Sequence, residues 1–122
     1  MSELPKVEKP KVVEKRWGSE IWFANSHAHD YCGKILKINK SNFSSMHYHL
    51  DKHETFYILK GTLIVHLINT DSGEEEVLRI REGETLEIPK GQPHRLSAAD
   101  GDITMIEAST FHRDSDSYRI HI

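Results

Sequence analysis

The chain has 122 residues, a formal net charge of −3 and a single cysteine. This length fits one domain with one core, and the mixed charges give no strong field toward nucleic acid or a membrane surface. One cysteine excludes an internal disulfide, which favours an intracellular, cytoplasmic protein. We expect neither a signal peptide nor a membrane-spanning helix, because no apolar run approaches the roughly 20 residues that a span needs.

The N-terminal residues 1–15 combine Pro5 and Pro10 with many lysines and glutamates and few apolar anchors. This composition predicts a flexible N-terminal arm. If the arm orders, we expect it to add a strand to a partner subunit. The folded domain is accordingly assigned to residues 16–122.

From Trp17 onward, short apolar stretches rich in β-branched residues alternate with turn residues, which is typical of strands. No long segment keeps the apolar spacing of an amphipathic helix. Strands are predicted at residues 20–25, 33–38, 45–49, 55–60, 62–69, 75–80, 84–88, 94–97, 103–108 and 118–122. Many short strands separated by regular turns predict an all-β, single-domain barrel or sandwich.

The first cluster of metal-ligand residues is His47, His49 and Glu54. Alternate side chains of a strand share a face, so both imidazoles point one way and Tyr48 points the other. Glu54 follows after a short connection and can lie beside them. Imidazoles with one carboxylate suit iron, manganese, nickel, zinc or copper. The alternative is a histidine-rich surface strand next to a solvated turn.

The second cluster consists of Gly83, Pro89, Gly91 and His94. Together, the two clusters resemble the two-part cupin signature, G-x5-H-x-H-x(3,4)-E-x6-G and G-x5-P-x-G-x2-H-x3-N. Ser41 stands in place of the leading glycine and Ala98 in place of the final asparagine, while the other positions match. The ligand positions are therefore all retained.

The resemblance to cupins extends over about residues 17–108 and implies a cupin jelly-roll β-barrel, with a homodimer as the usual assembly. It implies a divalent transition metal (Zn, Mn, Fe or Ni) held by His47, His49, Glu54 and His94. Such a site keeps one or two coordination positions open for a ligand.

Within cupins, the chain is most similar to the small sugar-phosphate isomerase branch, the C-terminal domain of type II mannose-6-phosphate isomerase. Residues 16–19 resemble its P-W-G-S, 45–49 its Q-M-H-x-H, and 88–96 its I-P-x-G-x-P-H-R-L. The departures are Arg16 for proline, Ser45 for glutamine, Leu50 where arginine is frequent, and a longer connection from His49 to Glu54. These departures allow a substrate other than mannose 6-phosphate.

The resemblance implies a metal-dependent isomerase or epimerase acting on a sugar phosphate. The metal would serve as a Lewis acid, and His53 or Glu107 would move the proton. Lys34 or Arg95 would hold the phosphate. Each residue also has a plain structural interpretation: a turn histidine for His53, an exposed carboxylate for Glu107, a solvated strand lysine for Lys34 and a surface ion pair for Arg95.

Two other functions remain open at this stage. Three histidines and a carboxylate also support a non-haem iron dioxygenase. A non-catalytic sugar-binding module would use the same barrel without turnover. For all three functions the expected partner is a small molecule, and neither nucleic acid nor a membrane is expected. For the isomerase and the sugar-binding module this small molecule is a sugar or sugar phosphate.

Overall fold

The computed structural model describes residues 3–121, which contain eleven β-strands and one short 3-10 helix, Asp114–Asp116. The strands are β1 Lys11–Lys15, β2 Gly18–Ser26, β3 Tyr31–Ile38, β4 Met46–Tyr48, β5 Glu54–Lys60, β6 Leu63–Ile68, β7 Glu75–Ile80, β8 Thr85–Ile88, β9 His94–Ser97, β10 Ile103–Ser109 and β11 Tyr118–His121. Over this part of the chain, no helix is long and apolar enough to cross a membrane.

The strands form two antiparallel sheets. One has six strands in the order β1-β2-β3-β10-β5-β8, and the other has five in the order β11-β4-β9-β6-β7. One hydrophobic core lies between them, with Phe56 and Met105 from the first sheet and Leu63, Val65 and Leu96 from the second. This arrangement confirms the prediction of an all-β jelly-roll fold.

Buried residues on three adjacent strands change from apolar to charged along the strand. They are Ile38, Leu36 and Lys34 on β3, Ile103, Met105 and Glu107 on β10, and Ile58, Phe56 and Glu54 on β5. The antiparallel register aligns Glu107 with Lys34, so the charged ends meet at the same end of the sheet. One end of the barrel is therefore an apolar core, and the other is a polar cavity.

The ten predicted strands all occur, with small changes at their ends, and Ile122 of the last predicted strand lies outside the described residues. The N-terminal prediction needs a correction: residues 11–15 are not a free arm but form β1, which pairs with β2 of the same chain. The three charged residues of this strand do not prevent pairing at a sheet edge, where charged side chains can reach water. On this strand, the Lys11 ammonium lies 4.6 Å from the Trp22 ring centroid.

Gly61 occupies a turn where two constraints coincide. Its φ is +87°, and a Cβ built on it would lie 2.4 Å from the carbonyl oxygen of Asp102. Gly73 has a similar φ of +77°, but a Cβ there meets nothing within 4 Å. Gly73 therefore isolates the cost of the left-handed backbone from the cost of the clash.

We expect Gly73→Ala to lower the free energy of unfolding by about 1 kcal/mol, the cost of a non-glycine residue in the left-handed region. Gly61→Ala should cost about 1–3 kcal/mol more, because the Asp102 carbonyl must move. Urea denaturation of both variants measures this difference. Equal losses would show that the close approach at Gly61 has no energetic consequence.

Candidate metal centre

Three histidines converge at the polar end of the barrel, two of them on strands and one just beyond a strand end. Potential ligand atoms of His47, His49 and His94 all lie within 4.8 Å of one another, which is a group able to hold a metal ion. His47 on β4 and His94 on β9 are direct cross-strand partners. His49 lies one residue beyond the end of β4, and its ring centroid is 5.1 Å from that of His47.

Backbone carbonyls determine which nitrogen of each histidine is available. His47 Nδ1 lies 2.8 Å from the Ser45 carbonyl, His49 Nδ1 2.7 Å from that of Asp116, and His94 Nδ1 2.8 Å from that of Gln92. A carbonyl oxygen only accepts, so each Nδ1 carries the hydrogen and donates it. The three Nε2 atoms then present lone pairs, and this pattern of oriented imidazoles is usual for metal-ligating histidines.

Glu54 places a fourth acceptor at the same point. Its Oε2 lies 3.3 Å from His94 Nε2 and 3.5 Å from His49 Nε2. This oxygen is buried and has no hydrogen-bond donor among the described residues. A buried carboxylate oxygen facing imidazole lone pairs is costly unless a cation lies between them. The residues present therefore fit a divalent metal.

The surroundings of His47 keep its imidazole neutral at neutral pH. Burial, reinforced by the neighbouring His94, lowers the pKa of His47 to about 3. Burial lowers the pKa of His49 as well, with Lys52 acting in the same direction. Metal binding requires neutral imidazoles, so neither histidine has to lose a proton at neutral pH.

The lowered pKa of His47 predicts a pH-dependent stability of the metal-free protein. The unfolded chain takes up a proton near pH 6.5, whereas folded His47 does so only near pH 3. The free energy of unfolding should therefore fall as the pH drops through this window, at about 1.4 kcal/mol per pH unit where the two states differ by a full proton. Urea denaturation with chelator present measures the slope.

The control for this prediction is His47→Gln, which removes the titrating group. Its stability should depend less steeply on pH than that of the wild type between pH 6 and about 4. The difference between the two proteins also removes the contributions of other groups, such as Glu107. Parallel pH profiles would show that His47 titrates normally.

Asp116, in the 3-10 helix, fixes the loop that carries His49. Its carboxylate accepts backbone N–H groups of Leu50, Asp51 and Lys52 at 2.9–3.2 Å. Its carbonyl accepts the His49 Nδ1–H. Asp116 therefore holds the His49 ring with its backbone carbonyl and the loop after His49 with its side chain.

Lys52 connects the metal centre to a second acidic group. Its buried Nζ lies 3.1 Å from Glu107 Oε2, 3.5 Å from Glu54 Oε1 and 3.0 Å from His112 Nδ1. Burial lowers the pKa of Lys52, but the Glu107 and Glu54 carboxylates outweigh it and raise this pKa above its ordinary value. Lys52 is therefore charged, and it donates to His112 Nδ1.

Glu107 and His112 respond to the same surroundings. Burial raises the pKa of Glu107, and Lys52 only partly opposes this effect. Burial and the positive charge of Lys52 lower the pKa of His112 to about 4. With Nδ1 accepting from Lys52, His112 donates Nε2–H to Asp114 Oδ1 at 2.9 Å.

A cavity of about 260 Å³ opens at this end of the barrel and brings the candidate residues together. All three histidines and Glu54 line it, and so do Lys34 and Glu107. The plain interpretations of Lys34 and Glu107 as exposed side chains are wrong, because these residues are 1% and 3% exposed. Lys34 Nζ lies 3.4 Å from Glu20 Oε1 and 4.3 Å from the Trp22 ring centroid.

The structure does not bring the other two candidates, His53 and Arg95, to the cavity. His53 Nε2 pairs with Glu87 Oε2 at 3.0 Å, and its side chain is 40% exposed. Arg95 donates Nε–H to the Ser44 carbonyl and lies over the Phe43 ring. Neither side chain lines the cavity, so the proton-transfer role predicted for His53 and the phosphate-binding role predicted for Arg95 stay predictions without support from this geometry.

Sequence reasoning did not identify Lys52, His112, Asp116 or Arg119 as site residues. A signal existed for Lys52, because it lies in the lengthened connection between His49 and Glu54. His112 and Asp116 belong to a polar C-terminal segment without a regular pattern, and Arg119 lies in the last predicted strand. Their positions follow from β11, which pairs with β4 and returns the tail to the cavity.

Comparison with known families defines the class of this protein. The Cupin_2 family, described as "Cupin domain", matches residues 35–109. The matched region is more than half of the chain and includes the three histidines and Glu54, so the chain belongs to this family of cupin domains. No curated protein matches the sequence.

Solved structures with the same fold include two proteins of different description. The capsular polysaccharide assembling protein CapF from Staphylococcus aureus superposes with a TM-score of 0.80 and 18% identity, covering 95% of this chain and 35% of that one. Oxalate decarboxylase from Bacillus subtilis gives a TM-score of 0.77 and 13% identity, covering 91% and 30%. The chain thus spans about a third of the length of these structures. At such identities the similarity shows the fold alone.

Proposed function

We propose that this cupin binds a divalent transition metal through His47, His49, His94 and Glu54 and isomerises or epimerises a sugar phosphate. The observation that carries the proposal is the joint placement of a metal-competent histidine group and the buried Lys52–Glu107 pair on one cavity. The sequence resemblance of residues 88–96 to the sugar-phosphate isomerase branch supports the choice of substrate.

The charges of the cavity favour an anionic ligand once a metal is bound. Four basic side chains line it, balanced by four acidic ones: Lys15, Lys34, Lys52 and Arg119 against Glu20, Glu54, Glu107 and Asp114. A divalent cation would leave the lining with an excess of two positive charges. The volume of about 260 Å³ lies just below the range of about 300–1,000 Å³ that holds drug-sized ligands. A small metabolite with one anionic group satisfies both conditions.

A bound divalent metal supplies Lewis-acid chemistry toward carbonyl and hydroxyl oxygens. In the protein, Glu107 is the group placed to accept a proton from one carbon and return it to the next, since its raised pKa suits a general base. Lys52 and Ser109 each donate to Glu107 Oε2 at 3.1 Å and fix its orientation. The barrel walls exclude bulk water from this pair.

Proton NMR in D2O tests this function. The as-purified protein, assayed for metal content, is incubated with a panel of aldose and ketose phosphates. We expect interconversion of one pair, or deuterium at the carbon next to the carbonyl. Glu107→Gln should lose this exchange, whereas Glu87→Gln, on the outer face, should keep it. No exchange across the panel with metal bound would reject the proposal.

A non-haem iron dioxygenase is the second candidate function. Three imidazoles with a carboxylate also suit ferrous iron and oxygen chemistry. Substrate-dependent oxygen consumption by the iron-loaded protein would favour this function over isomerisation. Tight binding of a sugar without turnover or oxygen uptake would instead indicate a non-catalytic sugar-binding module.

The proposed assembly is a homodimer, and a cytoplasmic location belongs to the same proposal. The outer face of the six-stranded sheet supports self-association, because cross-strand neighbours form an apolar row: Val12, Ile21, Ile35, Ile106 and Tyr57. Val12 and Tyr57 at its ends are exposed. Exposed apolar rows of this kind mark association surfaces. Analytical ultracentrifugation measures the monomer–dimer equilibrium, and Ile35→Lys should shift it toward the monomer relative to the wild type.

A further inference from the structure

Arg119 lies next to the metal centre although it belongs to the last strand. In the ladder between β11 and β4, Arg119 is the direct partner of His47. Cross-strand partners project on the same face with Cβ atoms about 5 Å apart. Consistently, both side chains line the cavity. Arg119 therefore approaches the metal centre from the five-stranded sheet, whereas Glu107 belongs to the six-stranded sheet.

Arg119 differs in its pairing from Lys34 and Lys52, the two buried cations of the cavity. Lys34 pairs with Glu20, and Lys52 pairs with Glu54 and Glu107. Within residues 3–121, no carboxylate lies within 4.0 Å of the Arg119 guanidinium, and the residue is exposed at the rim. A guanidinium without a protein carboxylate beside a metal centre is available for an anion that enters with the ligand.

We propose that Arg119 is a specificity-determining residue, which binds the phosphate or carboxylate group of a small ligand whose other oxygens reach the metal. The planar guanidinium offers two parallel N–H donors, which match two oxygens of either anion. This inference rests on the proposed metal centre and assigns the anion-binding role that Arg95 cannot fill. It does not depend on which reaction the site catalyses.

The test uses the Co2+-loaded full chain, titrated separately with inorganic phosphate and with glycolate. Binding is followed by calorimetry and by the visible absorption of Co2+, neither of which requires turnover. Arg119→Gln should bind Co2+ as the wild type does and lose at least about tenfold in affinity for the preferred anion. Arg119→Lys keeps the charge but lacks the two parallel N–H donors, so its anion affinity should lie between those of the wild type and Arg119→Gln. Arg95→Gln is the control on the outer face and should leave anion affinity unchanged.

The two probes separate the sources of the anion. Arg119-dependent binding of phosphate alone assigns a phosphate ester, and Arg119-dependent binding of glycolate alone assigns a carboxylate. Wild-type affinity in Arg119→Gln, no binding of either anion by the wild type, or loss of Co2+ binding in the variant would overturn the inference. If the D2O exchange assay fails while anion binding still depends on Arg119, only the proposed reaction is rejected.

Discussion

His49→Ala is expected to lower the affinity for a divalent metal by more than about 100-fold. Loss of a partner that merely orients a ligand costs about 10–100-fold, so loss of a ligand itself should exceed that range. His49 presents Nε2 to the centre because its Nδ1–H is held by the Asp116 carbonyl at 2.7 Å. Metal content after dialysis and competition with a coloured chelator measure the change.

His66→Ala is the matched control for this prediction. His66 is also a strand histidine, but its Nδ1 pairs with Glu75 Oε1 at 2.8 Å, away from the centre. Its removal should leave metal stoichiometry and affinity unchanged. Circular dichroism and thermal unfolding confirm that both variants are folded. Full metal affinity in His49→Ala would mean that the ligand assignment is wrong.

The convergence of the histidines could be predicted because it follows from local rules. The two-residue spacing of His47 and His49 places both rings on one face at the end of a strand. A turn that contains Pro89 and Gly91 precedes strand β9, and His94 is the first residue of that strand. The remaining step is the pairing of β4 with β9, which the cupin resemblance implied.

The surroundings of the centre could not be predicted from the same rules. Lys52 meets Glu107 across 55 residues, and Asp116 meets the loop after His49 across 64–66 residues. These contacts depend on how a loop and a C-terminal segment without hydrophobic periodicity pack against the barrel, and period-based reasoning has no information on that. Strand β1 is hard to predict for a related reason. Its many charged residues indicate a solvent-exposed segment, but they carry no information on whether that segment pairs with the edge of a sheet.

The position of His53 follows from the alternation of side chains along a strand. Glu54 points into the barrel at the start of β5, so its sequence neighbour has to point away. The structure places His53 beside Glu87, and Glu87 is the β8 partner of the outward residue Thr55. Proximity in sequence to a ligand therefore does not by itself place a side chain in the cavity.

Lys52→Met is expected to destabilise the metal-free protein by about 3–5 kcal/mol, the usual cost of removing one partner from a buried ion pair. The change leaves Glu54 and Glu107, which are 2% and 3% exposed, without their shared cation. The free energy of unfolding from urea denaturation at pH 7 with chelator present measures the loss. A loss below about 1 kcal/mol would contradict the charged pair.

The double variant Lys52→Met/Glu107→Gln distinguishes lost charge balance from lost packing. Removing the Glu107 charge as well should recover part of the stability that Lys52→Met loses, because only Glu54 then remains uncompensated. The coupling between the two substitutions, from the full mutant cycle, should be large because the groups are 3.1 Å apart. Additive losses would indicate that Lys52 stabilises the barrel through its methylene chain. Addition of metal to the double variant should restore further stability, since a divalent cation would compensate the remaining Glu54 carboxylate.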